Sequence, residues 1–211
     1  MNLAEKILVE NQDFQDAEHL VDVEGLSSPR VCHFLNHLVA GLDEGEHYLE
    51  IGTWKGLTLC SAIKGNEGKT CYACDKFRVY GQWTGWGFKA KRALYENLER
   101  YSIGGADVHF HHMNSRRLFA KELVPPNVKV YFYDGDHSYR GTKHHVVAAA
   151  PLLCERSFLL MDDFNDPVIE KATYDGIKEA GLEILWERNL RRDDGWWNGL
   201  GVFFLGKAAT N

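Results

Sequence analysis

Apolar and polar positions along the chain switch repeatedly between a two-residue and a helical period. Short apolar runs rich in aromatic and β-branched residues read as strands: one beginning at Tyr48, then 70–75, 107–113, 128–134 and 157–163. Between them lie helical patterns at 88–102, 116–123, 141–153 and 167–180, and the apolar stretch LTLCSAI that follows Gly56 can begin another helix. Ser28 followed by Pro29 predicts a capped helix start, with Val31, Phe34, Leu35, Leu38 and Val39 on one stripe. Residues 3–24 mix apolar and acidic positions at roughly helical spacing and predict one or two lid-like helices. The chain closes with strands over 182–189 and 199–206, joined only by a loop and therefore antiparallel. Strands that alternate with helices imply an α/β domain with a mostly parallel sheet and helices on both faces. No repeat or linker divides the chain, which reads as one domain: a helical extension over 1–27 and a core over 28–206.

Bulk composition narrows the function classes. The 211 residues are 45% hydrophobic and 26% charged, which suits one globular domain with a full core. A net charge of −6 and no long basic run argue against nucleic acid as partner, and no N-P-P-Y-like segment is present. Five scattered cysteines suit a reducing compartment. The N-terminal residues carry acids where a signal peptide needs an apolar run, and no segment reaches membrane-spanning length. The expectation is a soluble cytoplasmic protein without a membrane partner.

Candidate chemistry begins at YLEIGTWKG, 48–56, where a strand ends in Glu50 and runs through Gly52 and Gly56 towards a helix. In open α/β sheets, ligands bind at such junctions. A dinucleotide site needs a second glycine for backbone approach to the pyrophosphate. Here Trp54 takes that position and Glu50 adds negative charge, which suits S-adenosylmethionine, a phosphate-free cation, better than NAD. Asp75 ends the second strand, where an acid can accept both ribose hydroxyl hydrogens. A second cluster, YDGDHSY at 133–139, places Asp134, Asp136 and His137 after a strand, and Asp162 and Asp163 end the next one. Converging carboxylates require a cation, and oxygen ligands without cysteine suit Mg²⁺. His137 can act as general base.

YLEIGTWKG, ACDKF, YFYDGDHSYRGT and LLMDDF together resemble the class I S-adenosylmethionine-dependent methyltransferases, especially the macrocin-type and catechol-type O-methyltransferase branch, over residues 28–206. The resemblance implies a doubly wound, Rossmann-like seven-stranded sheet in the order 3-2-1-4-5-7-6. It implies that Glu50, Gly52 and Gly56, with Thr53 and Trp54 in the turn, hold the methionine part of the cofactor. Asp75 and Lys76 would take the ribose, and Asn114 and Ser115 the adenine, although many members carry an acid where this chain has Asn114. Asp136 falls where some relatives hold the cofactor's amino group, with Asp134 beside it. Asp134, Asp162 and Asp163 would bind Mg²⁺, and His137 would remove a proton from a small-molecule acceptor, a sugar, polyol or catechol hydroxyl. The competing readings are a non-catalytic S-adenosylmethionine-binding or regulatory protein and an NAD-linked oxidoreductase.

Other motifs suit ordinary roles. Cys71 and Cys74 lie on one strand, where residues three apart face opposite ways. His109, His111, His112, His144 and His145 lack metal-ligand spacing. Trp83 and Trp86, in GQWTGWG, can cover a ligand or anchor a loop. Trp196 and Trp197 can line a substrate pocket or serve a contact between copies in a homo-oligomer.

Overall fold

The computed structural model describes residues 1–77, 84–103 and 105–207, without the side chains of 84–86. The aromatic loop expected over 81–87 therefore lies mostly outside the described residues, Trp83 and the Trp86 side chain included.

Seven strands form one sheet: β1 (His47–Ile51), β2 (Thr70–Asp75), β3 (Asp107–His112), β4 (Val128–Tyr133), β5 (Leu153–Met161), β6 (Leu182–Leu190) and β7 (Leu200–Lys207). Their order is β3-β2-β1-β4-β5-β7-β6. β1 pairs in parallel with β2 and β4, and β4 with β5, whereas β7 runs antiparallel between β5 and β6. This is the strand order that the family resemblance implies. The order reverses at β1, so the C-terminal ends of β1, β2 and β4 flank the crevice where open α/β sheets bind ligands.

The central strands are buried on both faces, as their continuous apolar runs require. On β4, Val130 and Phe132 enter one core and Tyr131 and Tyr133 the other. The first core is closed by α1 (Leu3–Glu10), α2 (Pro29–Ala40), α3 (Leu57–Ile63) and α4 (Thr84–Tyr101). The second is closed by α5 (Ser115–Ala120), α6 (Tyr139–Ala149) and α7 (Pro167–Glu179). The stripe expected on α2 is buried throughout, and Ser28 caps that helix by accepting from the Val31 amide. Trp196 also joins the first core, edge-on to Phe34 with centroids 6.0 Å apart. Burial makes it an anchor of the 191–199 segment against α2.

Of the one or two helices expected over 3–24, the segment forms an α-helix at Leu3–Glu10 and a short 3₁₀ turn at Gln12–Phe14. The Asn11 side chain donates to the Ile7 carbonyl, and Gln12, Asp13 and Phe14 all take positive φ. Side-chain competition for backbone groups ends the helix there. Asp13 then pairs with Arg188 of β6 at 2.6 Å, tying the segment to the far edge of the sheet. The helix expected over 116–123 is likewise shorter, ending at Ala120.

Candidate active site

A cavity of about 470 Å³ opens at the switch point. Its wall takes Gly52, Thr53 and Trp54 from the first turn, Asp75 and Lys76 from the end of β2, Asn114 and Ser115 after β3, and Asp134, Asp136 and His137 after β4. Nearly all the residues expected to hold a cofactor therefore share one concave surface.

Backbone approach explains the glycine at position 52. Gly52 has φ +93, and a Cβ there would collide with the Asp134 carbonyl oxygen. The β1 and β4 turns are thus in direct backbone contact. Downstream, the Thr53 and Trp54 amides donate to one oxygen of Asp75 at 3.0 and 2.8 Å, and the Phe77 amide donates to the other at 2.6 Å. These three amides fix the carboxylate at the cavity wall.

Glu50 and Gly56 do not line this cavity, contrary to the expectation that they touch the cofactor. Glu50 is fully buried and accepts from the Tyr48 hydroxyl at 2.6 Å and from Thr58 at 2.8 Å. Burial, opposed only in part by those two hydrogen bonds, pushes its carboxyl up to about 8. Glu50 stands behind the wall and positions Thr58, which does line it. Gly56 has φ +92 and begins α3, where a Cβ would meet Leu94 of α4. Its role is close helix packing.

The acids at the β4 and β5 ends arrange themselves around His137. Its Nε2 lies 3.3 Å from Asp134 and its Nδ1 3.2 Å from Asp163. One ligand atom from each of Asp134, His137 and Asp163 falls within 4.8 Å of the others. Asp162, expected in the metal set, is not in this group. Its amide donates to the Tyr133 carbonyl just past β5, and Asp163 follows in a turn with φ +53. Asp162 is buried and its Oδ1 has no hydrogen-bond partner. Burial first, then Asp134 and Asp163, lift its carboxyl well above the ordinary range. The hydrogen bond that His137 donates to Asp134, then the charge of Asp163, hold the imidazole above its ordinary 6.5 against the opposing effect of burial. Neither Asp134 nor Asp163 caps the helix that follows it: Ser138 caps α6 and Asp166 caps α7. The residues fit a divalent cation, since the Asp134 and Asp163 carboxylates converge near Asp162, a buried acid with an orphaned oxygen.

The remaining wall residues differ from expectation in detail. Asn114 spends its side-chain oxygen on the Arg116 amide, capping α5. Asp136 is exposed, and one of its oxygens accepts from the Ser138 amide at 3.0 Å. Ser27 and Thr53 line the cavity with buried hydroxyls that lack a partner, as a polar ligand would require. His145 of α6 also lines it, reaching Ser115 at 2.6 Å. No sequence signal marked this histidine, because its neighbours along the chain are ordinary helix residues.

Residues 49–164 match a family model described as a methyltransferase domain. The chain belongs to this methyltransferase family. Solved structures share the fold of this methyltransferase at low identity. The O-methyltransferase from Bacillus cereus, in complex with SAH, is 15% identical with a TM-score of 0.58, over 96% of this chain and 90% of that one. The O-methyltransferase TomG from Streptomyces achromogenes, involved in tomaymycin synthesis and in complex with SAM, is 13% identical with a TM-score of 0.57, over 98% and 90%. A candidate SAM-dependent methyltransferase from Streptococcus mutans is 12% identical with a TM-score of 0.56, over 82% of this chain. The methyltransferase spans 47% of that protein's length. No protein of curated function matches it in sequence. Its fold is the class I, Rossmann-like one, and among the described residues no helix is long and apolar enough to cross a membrane.

Proposed function

We propose that this methyltransferase binds S-adenosylmethionine in the 470 Å³ cavity and methylates a hydroxyl of a small molecule. One observation carries the reading. The contact between Gly52 and the Asp134 carbonyl sets the cofactor cradle and the Asp134–His137–Asp163 cluster on one edge.

Asp75, held by three amides, accepts from the ribose hydroxyls, and the buried Ser27 and Thr53 hydroxyls take further polar atoms of the cofactor. When bound, S-adenosylmethionine supplies an electrophilic methyl group, which passes to the acceptor oxygen as the carbon–sulfur bond breaks and its electron pair stays on sulfur. His137 donates its Nε2–H to Asp134, and its other nitrogen carries the lone pair that takes the hydroxyl proton. Asp134 and Asp163 would hold a divalent cation such as Mg²⁺, which would supply Lewis-acid polarisation of the hydroxyl. Catalysis then rests on positioning and water exclusion. The acidic chain and the small cavity favour a sugar, polyol or catechol over a macromolecule as acceptor.

Calorimetric titration with S-adenosylmethionine tests this, run with Mg²⁺ and with chelator, followed by Mg²⁺ titration of the cofactor-bound protein. Cofactor binding with a separate metal heat is expected. Absence of cofactor binding would overturn the reading, and cofactor binding without a metal heat would remove the cation from it.

A further inference from the structure

The 191–199 segment brings one side chain onto the acids beside His137. Gly199 has φ +92, and a Cβ there would collide with the Asn165 side chain, so the two stretches of chain touch directly. The Phe164 and Asn165 amides donate to the Gly199 and Asn198 carbonyls at 3.0 and 3.2 Å, and buried Trp196 anchors the same segment against Phe34. This main-chain pairing holds position 198 beside the turn at Asp163, whatever side chain stands there. The Asn198 amide then donates to Asp163 Oδ1 at 2.6 Å. An ionised carboxylate can only accept, so the NH₂ end of the amide faces it. The other oxygen, Oδ2, lies towards His137, 3.2 Å from Nδ1. With Oδ1 held from one side, the rotation of the Asp163 carboxylate is fixed and Oδ2 is the oxygen turned to the cluster. Nearby, the buried Asp162 carries its orphaned Oδ1, a polar atom that calls for a counterpart.

We propose that Asn198 is the positioning residue of Asp163 and biases the cluster towards Mg²⁺ over Ca²⁺. The inference rests on the cation part of the proposed function and adds to it a residue that is not itself a ligand. With Oδ1 occupied by Asn198, Asp163 presents a single oxygen. Single carboxylate oxygens suit Mg²⁺, which demands near-octahedral geometry and keeps several of its waters. Ca²⁺ takes more oxygens in looser geometry, and a carboxylate free to turn can give it two. The Asn198 hydrogen bond therefore acts against the larger ion, and selectivity is set by a donor outside the ligand set.

The test is a pair of calorimetric titrations, with Mg²⁺ and with Ca²⁺, of the full chain carrying S-adenosylhomocysteine. Asn198→Leu keeps the size of the side chain and removes the donor. Its ratio of Ca²⁺ affinity to Mg²⁺ affinity should rise at least about fivefold over the wild type, the worth of one ordinary hydrogen bond. Asn198→Ala leaves room for a water that can donate in place of the amide, and its ratio should fall between those two. S-adenosylhomocysteine affinity should stay unchanged in both variants, since Asn198 does not line the 470 Å³ cavity. A merely structural role for Asn198 would weaken both cations together. Equal weakening of the two cations, or a ratio unchanged in both variants with Mg²⁺ still bound, would overturn this inference alone. A wild type that binds neither cation would overturn the cation reading and this inference with it.

Discussion

Replacing Glu50 with glutamine should stabilise the protein against rising pH. The carboxyl is completely buried, and its recorded donors are two neutral hydroxyls. It keeps its proton in the folded state up to about 8, against an ordinary 4.5. The folded-state value is the raised one, so the stabilisation is complete below pH 4.5 and is lost as pH climbs through 8. At ~1.4 kcal/mol per tenfold in proton affinity, the full loss is roughly 5 kcal/mol, and about 3 kcal/mol of it falls between about pH 5.5 and 8.5. Glutamine copies the neutral carboxyl and has no proton to release. Its extra N–H costs about 1–3 kcal/mol if unmatched, but equally at both pH values. Urea unfolding of both proteins near the two pH values, followed by tryptophan fluorescence, isolates the titration as a difference of differences. The wild type should lose about 3 kcal/mol more than Glu50→Gln. Equal losses would show that Glu50 is ionised in the fold and would refute the burial argument. S-adenosylmethionine affinity should survive in Glu50→Gln, because the carboxylate stands behind the cavity wall.

Three further outcomes are expected. Asp134→Asn should lower kcat by about 100-fold or more, measured by methyl transfer, while cofactor affinity from calorimetry stays within about threefold. Gly52→Ala forces a Cβ into the Asp134 carbonyl at a left-handed φ, and should cost more than about 3 kcal/mol in thermal unfolding or prevent folding. In thiol labelling of the native protein Cys154 should react first, since Cys32, Cys60, Cys71 and Cys74 are buried and burial raises all four thiols.

The strand order was legible because each strand run was apolar and bounded by glycine, proline or an acid, and the family resemblance supplied the order. The cavity's membership was also largely legible, since a residue at a strand's C-terminal end is placed by topology alone. The direction of a side chain there was not. Glu50 lies one residue before the end of β1 and Asp162 one residue past β5, yet both turn into the interior, because that depends on which neighbours leave room. Tyr48 and Thr58 supply partners for Glu50, whereas Asp163 with φ +53 turns to Asn198 and His137 and leaves Asp162 inside. His145 was illegible for a related reason. Its meaning lies in a hydrogen bond to Ser115, thirty positions away, that no local spacing encodes.

The backbone contact between Gly52 and Asp134 has a counterpart in how the 191–199 segment is attached. That segment is attached both by main chain, the Phe164 and Asn165 amides donating to the Gly199 and Asn198 carbonyls at 3.0 and 3.2 Å, and by side chains, Arg30 donating to the Asp194 carbonyl, Asn165 accepting from the Arg192 amide and Asn198 donating to Asp163 at 2.6 Å. The donor half of the site is set by main-chain geometry, which substitution can alter only by breaking the fold. On the His137 side, the contact from Asn198 to Asp163 is made by replaceable side chains. Under the proposed function, substitution at Asn198 therefore alters the surroundings of Asp163 while the main-chain contact at Gly52 stays intact.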